Sequence, residues 1–300
     1  VMAEELGFIG TGFLIGLFWI VVLGIILLYI NLLLGEITLR TKEHHQLPGY
    51  ARKYLGKTGE KVMFFALFFG IYSALLAYLI GTGESFSRIF TGNLDSFLVF
   101  GIGFWLIMTI LLFGGIERLK KFEYWGVLGI IILVLGIFVF LVPGVEFSNV
   151  SFVDLTNINT FFLPFGVVLF ALLGFSCIPE IRIGTKKNEK FLKSSIVLGS
   201  LIPIILYILF SFVFVGVLGN GVEQVATLSF SGVLGILLPV LGIFTMMTSY
   251  FSLSFVLKDY FIYDIKKKNL VLPFVCGVPL LLFLAVSLFD IAGFVKVLGI

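Results

Sequence analysis

The chain has 300 residues, of which 60% are hydrophobic and 12% are charged, with a formal net charge of +3 and 36 Phe. Soluble domains are typically about 45–50% apolar and about 25% charged. This composition excludes a soluble enzyme and a disordered chain, and the unbroken apolar runs exclude the alternating pattern of a β-barrel. We therefore predict an all-α, polytopic membrane protein.

Eight apolar segments are long enough to cross a bilayer, which requires about 20 residues. They are residues 13–34, 63–83, 97–114, 125–142, 160–178, 195–218, 233–257 and 270–288. A further apolar stretch, residues 291–300, is too short to cross and is predicted to be part of a span. All these segments are expected to form a single transmembrane transporter domain over residues 1–300.

The basic residues predict the orientation of the chain. Four connecting segments carry 18 of the 20 Lys and Arg residues: 35–62, 115–124, 181–194 and 258–269. Only Arg88 and Lys296 lie on the other side. Because Lys and Arg are enriched in cytoplasmic loops, the first set is predicted to be cytoplasmic. The chain then begins outside at Val1 and ends in mid-span, so we expect a fragment of a longer protein.

The span at residues 160–178 is predicted to be a broken helix. Gly174 is followed five residues later by Pro179, and Gly after one helix with Pro in the first turn of the next is the usual asymmetry. Ser176 or Cys177 would lie near the N-cap of the inner half. The break leaves carbonyl groups on one side and N–H groups on the other, which suits a zwitterion. A simple kink without a ligand is the alternative.

Two further helix faces carry candidate site residues. Hydroxyl groups lie on one face of span 233–257, at Thr245, Thr248, Ser249 and Ser252. Their oxygens could hold a cation such as Na⁺, or they could serve interhelical packing. Span 63–83 carries a face of small residues with Tyr78 beside it: Gly70, Ser73, Ala74, Ala77 and Gly81. This face is either a close helix–helix contact or the wall of a solute cavity.

Ionisable and amide groups are few in the spans. Glu180 and Glu36 are predicted at cytoplasmic helix ends, where gating and packing are both open. Asn31 is expected to bond to a neighbouring helix. The Glu43–His44–His45 run lacks the spacing of a metal motif, so no metal site is predicted. The spans hold no acid pair or His dyad, which argues against a membrane enzyme.

The spacing of the spans suggests an inverted repeat. Spans that start at 13, 63, 97 and 125 match later ones at offsets of about 165 to 182 residues, with opposite orientation. The broken helix opens the second copy. Its counterpart, the first span, would precede Val1.

Four stretches resemble amino-acid permeases of the amino acid–polyamine–organocation superfamily, in its hydroxy/aromatic amino acid permease or amino acid/auxin permease branch. They are FGVVLFALLGFSCIPEI (165–181), NLLLGEITLRT (31–41), YSALLAYLIGTGES (72–85) and LKDYF (257–261). The resemblance implies a five-plus-five inverted-repeat transporter fold, here with the first span missing and the tenth incomplete.

The resemblance also implies roles for particular residues. Substrate would contact Gly174, Phe175, Ser176, Ser73 and Tyr78. A coupling ion would bind at Thr245, Thr248 and Ser249. Glu180 is the gating candidate because of its position at a cytoplasmic helix end and not because of the resemblance.

The sequence therefore predicts a secondary active transporter, a symporter that moves an amino acid, aromatic or otherwise hydrophobic by the resemblance, through the plasma membrane by alternating access. Coupling to H⁺ or Na⁺ is expected, without a cofactor. The expected partners are the amino acid and the lipid bilayer, and no nucleic acid; the oligomeric state is open. The alternative is an amino-acid sensor or non-transporting subunit on the same fold.

Overall fold

The computed structural model describes residues 13–41, 43–114, 116–151, 158–185, 188–219 and 232–288. All regular structure within these ranges is helical, which confirms the predicted all-α fold. The α-helices, numbered α1 to α10, are Phe13–Arg40, Leu47–Thr91, Phe97–Leu112, Ile116–Leu141, Phe147–Ser151, Ile158–Leu172, Ile178–Gly184, Lys190–Leu218, Gly232–Asp259 and Val278–Leu288. Short 3₁₀ or π turns lie at Val142–Gly144, Phe175–Cys177, Tyr260–Asp264, Lys268–Leu270 and Val271–Gly277.

Seven helical stretches within the described residues are long and apolar enough to cross a membrane. The exception among the eight predicted spans is 97–114, because α3 has only 16 residues. At 1.5 Å per residue it is about 24 Å long, short of the roughly 30 Å hydrocarbon core of a bilayer. Its composition is apolar throughout, so the span at residues 97–114 stays a prediction. The predicted partial span 291–300 lies outside the described residues.

The first predicted connection, residues 35–62, is largely helical rather than a loop. Helix α1 continues to Arg40, and α2 begins at Leu47 with Pro48 in its first turn. Polar residues are good helix formers outside the membrane, so the loss of hydropathy near residue 62 does not mark the helix end. Gly56 interrupts α2 with φ 74° and ψ −166°, a backbone conformation that suits glycine.

The described chain divides into two compact units. Unit 1 comprises Val1–Ile37, Gly129–Ile178 and Thr185–Leu241. Its core is an apolar cluster supplied by six helices, in which Ile20, Val168, Phe214 and Leu238 are almost fully buried. Such a core needs no polar partner and is stabilised by close packing.

Within unit 1, glycines bring α1 close to α8. A Cβ added at Gly24 would lie 2.7 Å from Ile204 Cδ1, and one at Gly35 would lie 2.5 Å from Ile196 Cδ1. Small residues at helix contacts allow such close approach in membranes, where van der Waals packing drives association. The residue numbers fall along α8 as they rise along α1, so the two helices run antiparallel.

Unit 2 comprises Thr38–Leu128, Pro179–Gly184 and Gly242–Ile300. Here α2 packs against α3 at Gly83, where an added Cβ would lie 2.5 Å from the carbonyl oxygen of Phe97. Trp105 Nε1 on α3 donates to the carbonyl oxygen of Cys276 at 2.9 Å. Ala77, on the small-residue face of α2, is fully buried.

The surfaces of both units are apolar. Large side chains such as Phe65, Val139 and Val233 are at least 70% exposed. Exposure of these faces to water would be unfavourable, whereas lipid tails are as apolar as the side chains themselves. The described helices therefore fit a multi-pass membrane protein.

Candidate functional site

The predicted break in the fifth span is confirmed. Helix α6 ends at Leu172, Phe175–Cys177 forms a single 3₁₀ turn, and α7 begins at Ile178. Gly174 has φ −130° and ψ 0°, outside helical values. Ser176 and Cys177 both lie in the 3₁₀ turn directly before α7, and Ser176 is buried.

A pocket of about 140 Å³ opens at this break within unit 1. Its walls come from α1, the end of α6 and α8, and are mainly apolar. They are Gly24, Leu27, Leu28, Asn31, Ala171, Leu172, Leu173, Gly174, Gly199, Ser200, Pro203, Ile204 and Tyr207. A dry cavity of about 150 Å³ can hold benzene, so this pocket has the volume of an aromatic or branched side chain.

Three polar side chains line the pocket. Asn31 Nδ2 donates to Ser200 Oγ at 3.4 Å, which bears out the expected bond from Asn31 to a neighbouring helix. Tyr207 donates its hydroxyl to the carbonyl oxygen of Ala171 at 3.2 Å, near the open end of α6. Asn31 is 6% exposed, and its Oδ1 has no hydrogen-bond partner among the described residues. An acceptor atom without a described partner is therefore buried in the apolar wall of the pocket.

Of the predicted substrate residues, Gly174 lines this pocket, and Phe175 and Ser176 follow it in the 3₁₀ turn. Ser73 and Tyr78 lie on α2, in unit 2, and both are half-buried. The assignment of all five to substrate stays a prediction.

The predicted ion-binding hydroxyls lie on α9 in unit 2. Thr245 Oγ1 donates to the carbonyl oxygen of Gly242 at 2.8 Å, and Thr248 Oγ1 donates to that of Phe244 at 3.1 Å. Such bonds to the preceding turn are common for hydroxyls in helices, and they leave the oxygen lone pairs available. An added Cβ at Gly126 would lie 2.5 Å from Thr248 Cγ2, so Thr248 also packs tightly against α4. Ion binding by Thr245, Thr248 and Ser249 stays a prediction.

Glu180, the predicted gating residue, belongs to a group of polar side chains in unit 2 that we call the Gln46 cluster. Its members are Glu43, His44, His45, Gln46, Glu180, Asp259 and Asp264. Gln46 is fully buried, and its Nε2 donates to Glu180 Oε1. The backbone N–H of Gln46 donates to Asp264 Oδ2 at 2.8 Å, and Asp264 Oδ1 lies 2.7 Å from His45 Nδ1.

The Gln46 cluster ties three parts of the chain together. The segment before α2 supplies Gln46, the inner half of the broken span supplies Glu180, and the turn after α9 supplies Asp264. Hydrogen bonds to charged groups are stronger than neutral ones, so the bond from Gln46 to Glu180 holds α7 in a defined position within unit 2. Release of α7 would require this bond to be replaced.

Most members of these two sites escaped prediction. Gln46 and Glu180 are 134 positions apart, and His45 and Asp264 are 219 apart, so no local spacing links them. Ser200 and Tyr207 share one face of α8, seven residues apart. That spacing was a usable signal, although it does not by itself point to the break.

Comparison with known proteins gives the family. The pattern of the tryptophan/tyrosine permease family matches residues 1–299. The chain is also similar to a protein of Aliivibrio fischeri (strain ATCC 700601 / ES114) named glutamine transporter 2. The two are 26% identical over 263 residues, covering 83% of this chain and 67% of that protein.

These relationships point to a transporter of amino acids rather than an enzyme, in keeping with the apolar helices and the broken span. They support the coarse part of the resemblance, an amino-acid permease. The chain belongs to the tryptophan/tyrosine permease family.

Proposed function

We propose that the chain is part of a secondary active transporter that moves an aromatic or other hydrophobic amino acid across the plasma membrane by alternating access, coupled to H⁺ or Na⁺. The observation that carries the proposal is the pocket at the break between α6 and α7. Non-helical backbone at membrane depth is costly unless it lines a cavity, and it marks the binding sites of many transporters.

The pocket is suited to an apolar side chain with a polar group nearby. Its volume, about 140 Å³, is close to that of a cavity that binds benzene. Asn31 Oδ1 lacks a described partner and could accept a hydrogen bond from bound solute. Pockets for small molecules usually combine apolar walls with a few placed polar groups. Glutamine is the competing substrate, because the relative from Aliivibrio fischeri is named for it.

The bond from Gln46 to Glu180 supports a gating role for Glu180. We propose that α7 stays in place while the Gln46 cluster is intact and that the cluster rearranges as the transporter changes state. Discontinuous helices commonly move in this way during alternating access. The structure of unit 2 supplies the bonds that such a motion would exchange.

The substrate site is tested by filling the pocket. Gly174→Leu and Gly199→Leu would each place a side chain in the pocket, and an added Cβ at either position meets no atom within 4 Å. We expect uptake of labelled tryptophan, tyrosine and glutamine into proteoliposomes to fall by about tenfold or more, which corresponds to about 1.4 kcal/mol of lost binding. Uptake equal to wild type in both variants would contradict the assignment of this pocket as the substrate site.

Gly166→Leu is the matched control. Gly166 lies on the same broken span, is exposed, and also has no atom within 4 Å of an added Cβ, but it does not line the pocket. The Gly166→Leu variant should transport the amino acid at the wild-type rate. Binding of an amino acid without uptake in the wild type would instead favour the sensor alternative.

The coupling ion is tested at α9. Thr248→Val keeps the shape of the buried side chain and removes only its hydroxyl. If Na⁺ binds at Thr245, Thr248 and Ser249, the Na⁺ concentration needed for half-maximal uptake should rise. Uptake that needs no Na⁺ in the wild type would assign coupling to H⁺.

A further inference from the structure

Three side chains of the Gln46 cluster bring metal-binding atoms together. One ligand atom each from His44, Glu180 and Asp259 lies within 4.8 Å of the other two. They come from the segment before α2, from α7 and from the last residue of α9, all within unit 2. The grouping crosses more than 200 positions of sequence, so the run Glu43–His44–His45 could not reveal it.

The contact between His44 and Asp259 is the most informative. His44 Nε2 lies 3.7 Å from Asp259 Oδ2, beyond hydrogen-bond range. Asp259 is 4% exposed, and neither atom has a hydrogen-bond partner among the described residues. A protonated His44 would form an ion pair with Asp259 here, and when Nε2 carries no proton a bound cation would stabilise both acceptor atoms.

The spacing suits a shared metal ion. Two ligands about 2.1 Å from a tetrahedral Zn²⁺ lie about 3.4 Å apart, close to the observed 3.7 Å. The widest separation, up to 4.8 Å, requires one carboxylate to move inward by about 1 Å. One imidazole with two carboxylates is a donor set that Zn²⁺ accepts, with water as the fourth ligand.

Neighbouring side chains hold two of the ligands in position. The edge of the His44 ring meets Tyr263, with 4.7 Å between centroids and 87° between planes. Gln46 Nε2 donates to Glu180 Oε1 and orients that carboxylate. Partners of this kind are typical of metal sites, where they fix the orientation of the ligands.

We propose that His44, Glu180 and Asp259 bind a divalent cation of the Zn²⁺ type. The bound ion would join the segment before α2, α7 and the end of α9. This goes beyond amino-acid transport and does not depend on it, because binding can be measured without uptake. It also replaces the expectation from sequence that the chain holds no metal site.

Titration calorimetry of the detergent-purified, full-length protein with Zn²⁺ tests the proposal, with thermal unfolding as a second measurement. The wild type should bind Zn²⁺ and gain thermal stability, and Mg²⁺, which rarely takes imidazole, should do neither. Asp259→Asn, which conserves volume, and His44→Ala should each weaken Zn²⁺ binding by about tenfold or more.

Two variants serve as matched controls. Glu43→Gln removes an exposed carboxylate from the same segment, and Cys177→Ser removes a thiol that could bind Zn²⁺ by itself. Both should bind Zn²⁺ as the wild type does. The proposal is overturned if the wild type shows neither binding nor added stability, if the His44 and Asp259 variants bind normally, or if Cys177→Ser abolishes binding. If either ligand variant fails to fold, the other and Glu180→Gln decide by the same criteria.

Discussion

The two halves of the broken span lie in different chemical surroundings. In unit 1, α6 ends at an apolar pocket where the polar contacts are few and long, such as the 3.4 Å bond from Asn31 to Ser200. In unit 2, Glu180 on α7 accepts a bond from the fully buried Gln46, whose backbone N–H donates to Asp264 Oδ2 at 2.8 Å. The end of α6 is therefore held by few and long polar contacts, whereas α7 is held by a bond to a buried side chain.

With this difference, the α6 side of the span is suited to binding a solute and the α7 side to switching between positions. Weakly bonded polar atoms in an apolar wall can exchange their partners for a solute at little cost. In the Gln46 cluster, buried groups bond to charged partners, so an exchange of partners costs more there. We expect substitutions in the Gln46 cluster to affect stability strongly and those in the pocket to affect mainly uptake.

Asp264→Asn should have the largest effect on stability. The carboxylate accepts from Gln46 N at 2.8 Å and contacts His45 at 2.7 Å, so the neutral amide would lose charge-assisted bonds. Thermal unfolding in detergent should show a loss of about 2–3 kcal/mol. Asp95→Asn is the control: this exposed carboxylate also accepts a side-chain bond, and its loss should cost less than about 0.5 kcal/mol. Equal losses of unfolding free energy in Asp264→Asn and Asp95→Asn would contradict the expected contribution of the Gln46 cluster to stability.

A double-mutant cycle on Gln46→Ala and Glu180→Ala measures the bond that holds α7. Because Gln46 is fully buried, we expect a coupling free energy of about 1–2 kcal/mol. The Arg52–Glu60 pair is the comparison, since its atoms are 3.6 Å apart and Arg52 is 63% exposed. That pair should couple by about 0.5 kcal/mol or less. A Gln46–Glu180 coupling near zero would contradict a gate at this position.

Tyr207→Phe tests the bonding of the open end of α6. The variant keeps the ring and removes the hydroxyl that donates to Ala171 O at 3.2 Å. We expect a loss of about 1 kcal/mol in unfolding free energy. Tyr29→Phe, at a 63% exposed position, should be neutral. A loss as large as that of Asp264→Asn would show that the pocket side is held as firmly as the Gln46 cluster.

Asn31→Leu should change stability least. Its bond to Ser200 is long, and an apolar side chain suits the pocket wall, so unfolding should shift by about 0.5 kcal/mol or less. Uptake should suffer instead, with KM rising by about three- to tenfold if the amide bonds the substrate. An unchanged KM would place the substrate's polar groups elsewhere.

The helical segments and the broken helix could be predicted from the sequence because both depend on neighbouring residues. Length and hydropathy identify spans, and Gly174 with Pro179 marks a break within six positions. The difference at residues 35–62 has the same local origin. Low hydropathy there predicted a connection between spans, although the polar ends of α1 and α2 are helical.

The pocket and the Gln46 cluster were decided by tertiary structure. Gly174 lines the same pocket as Asn31 and Ser200, whose helices α1 and α8 pack antiparallel through glycines, and this packing depends on surfaces rather than on spacing along the chain. Glu180 was identified as a lone carboxylate at a helix end, but its partner Gln46 lies 134 positions away. A helix can be specified by adjacent residues because its hydrogen bonds are local, whereas buried polar side chains acquire partners only once distant segments have packed.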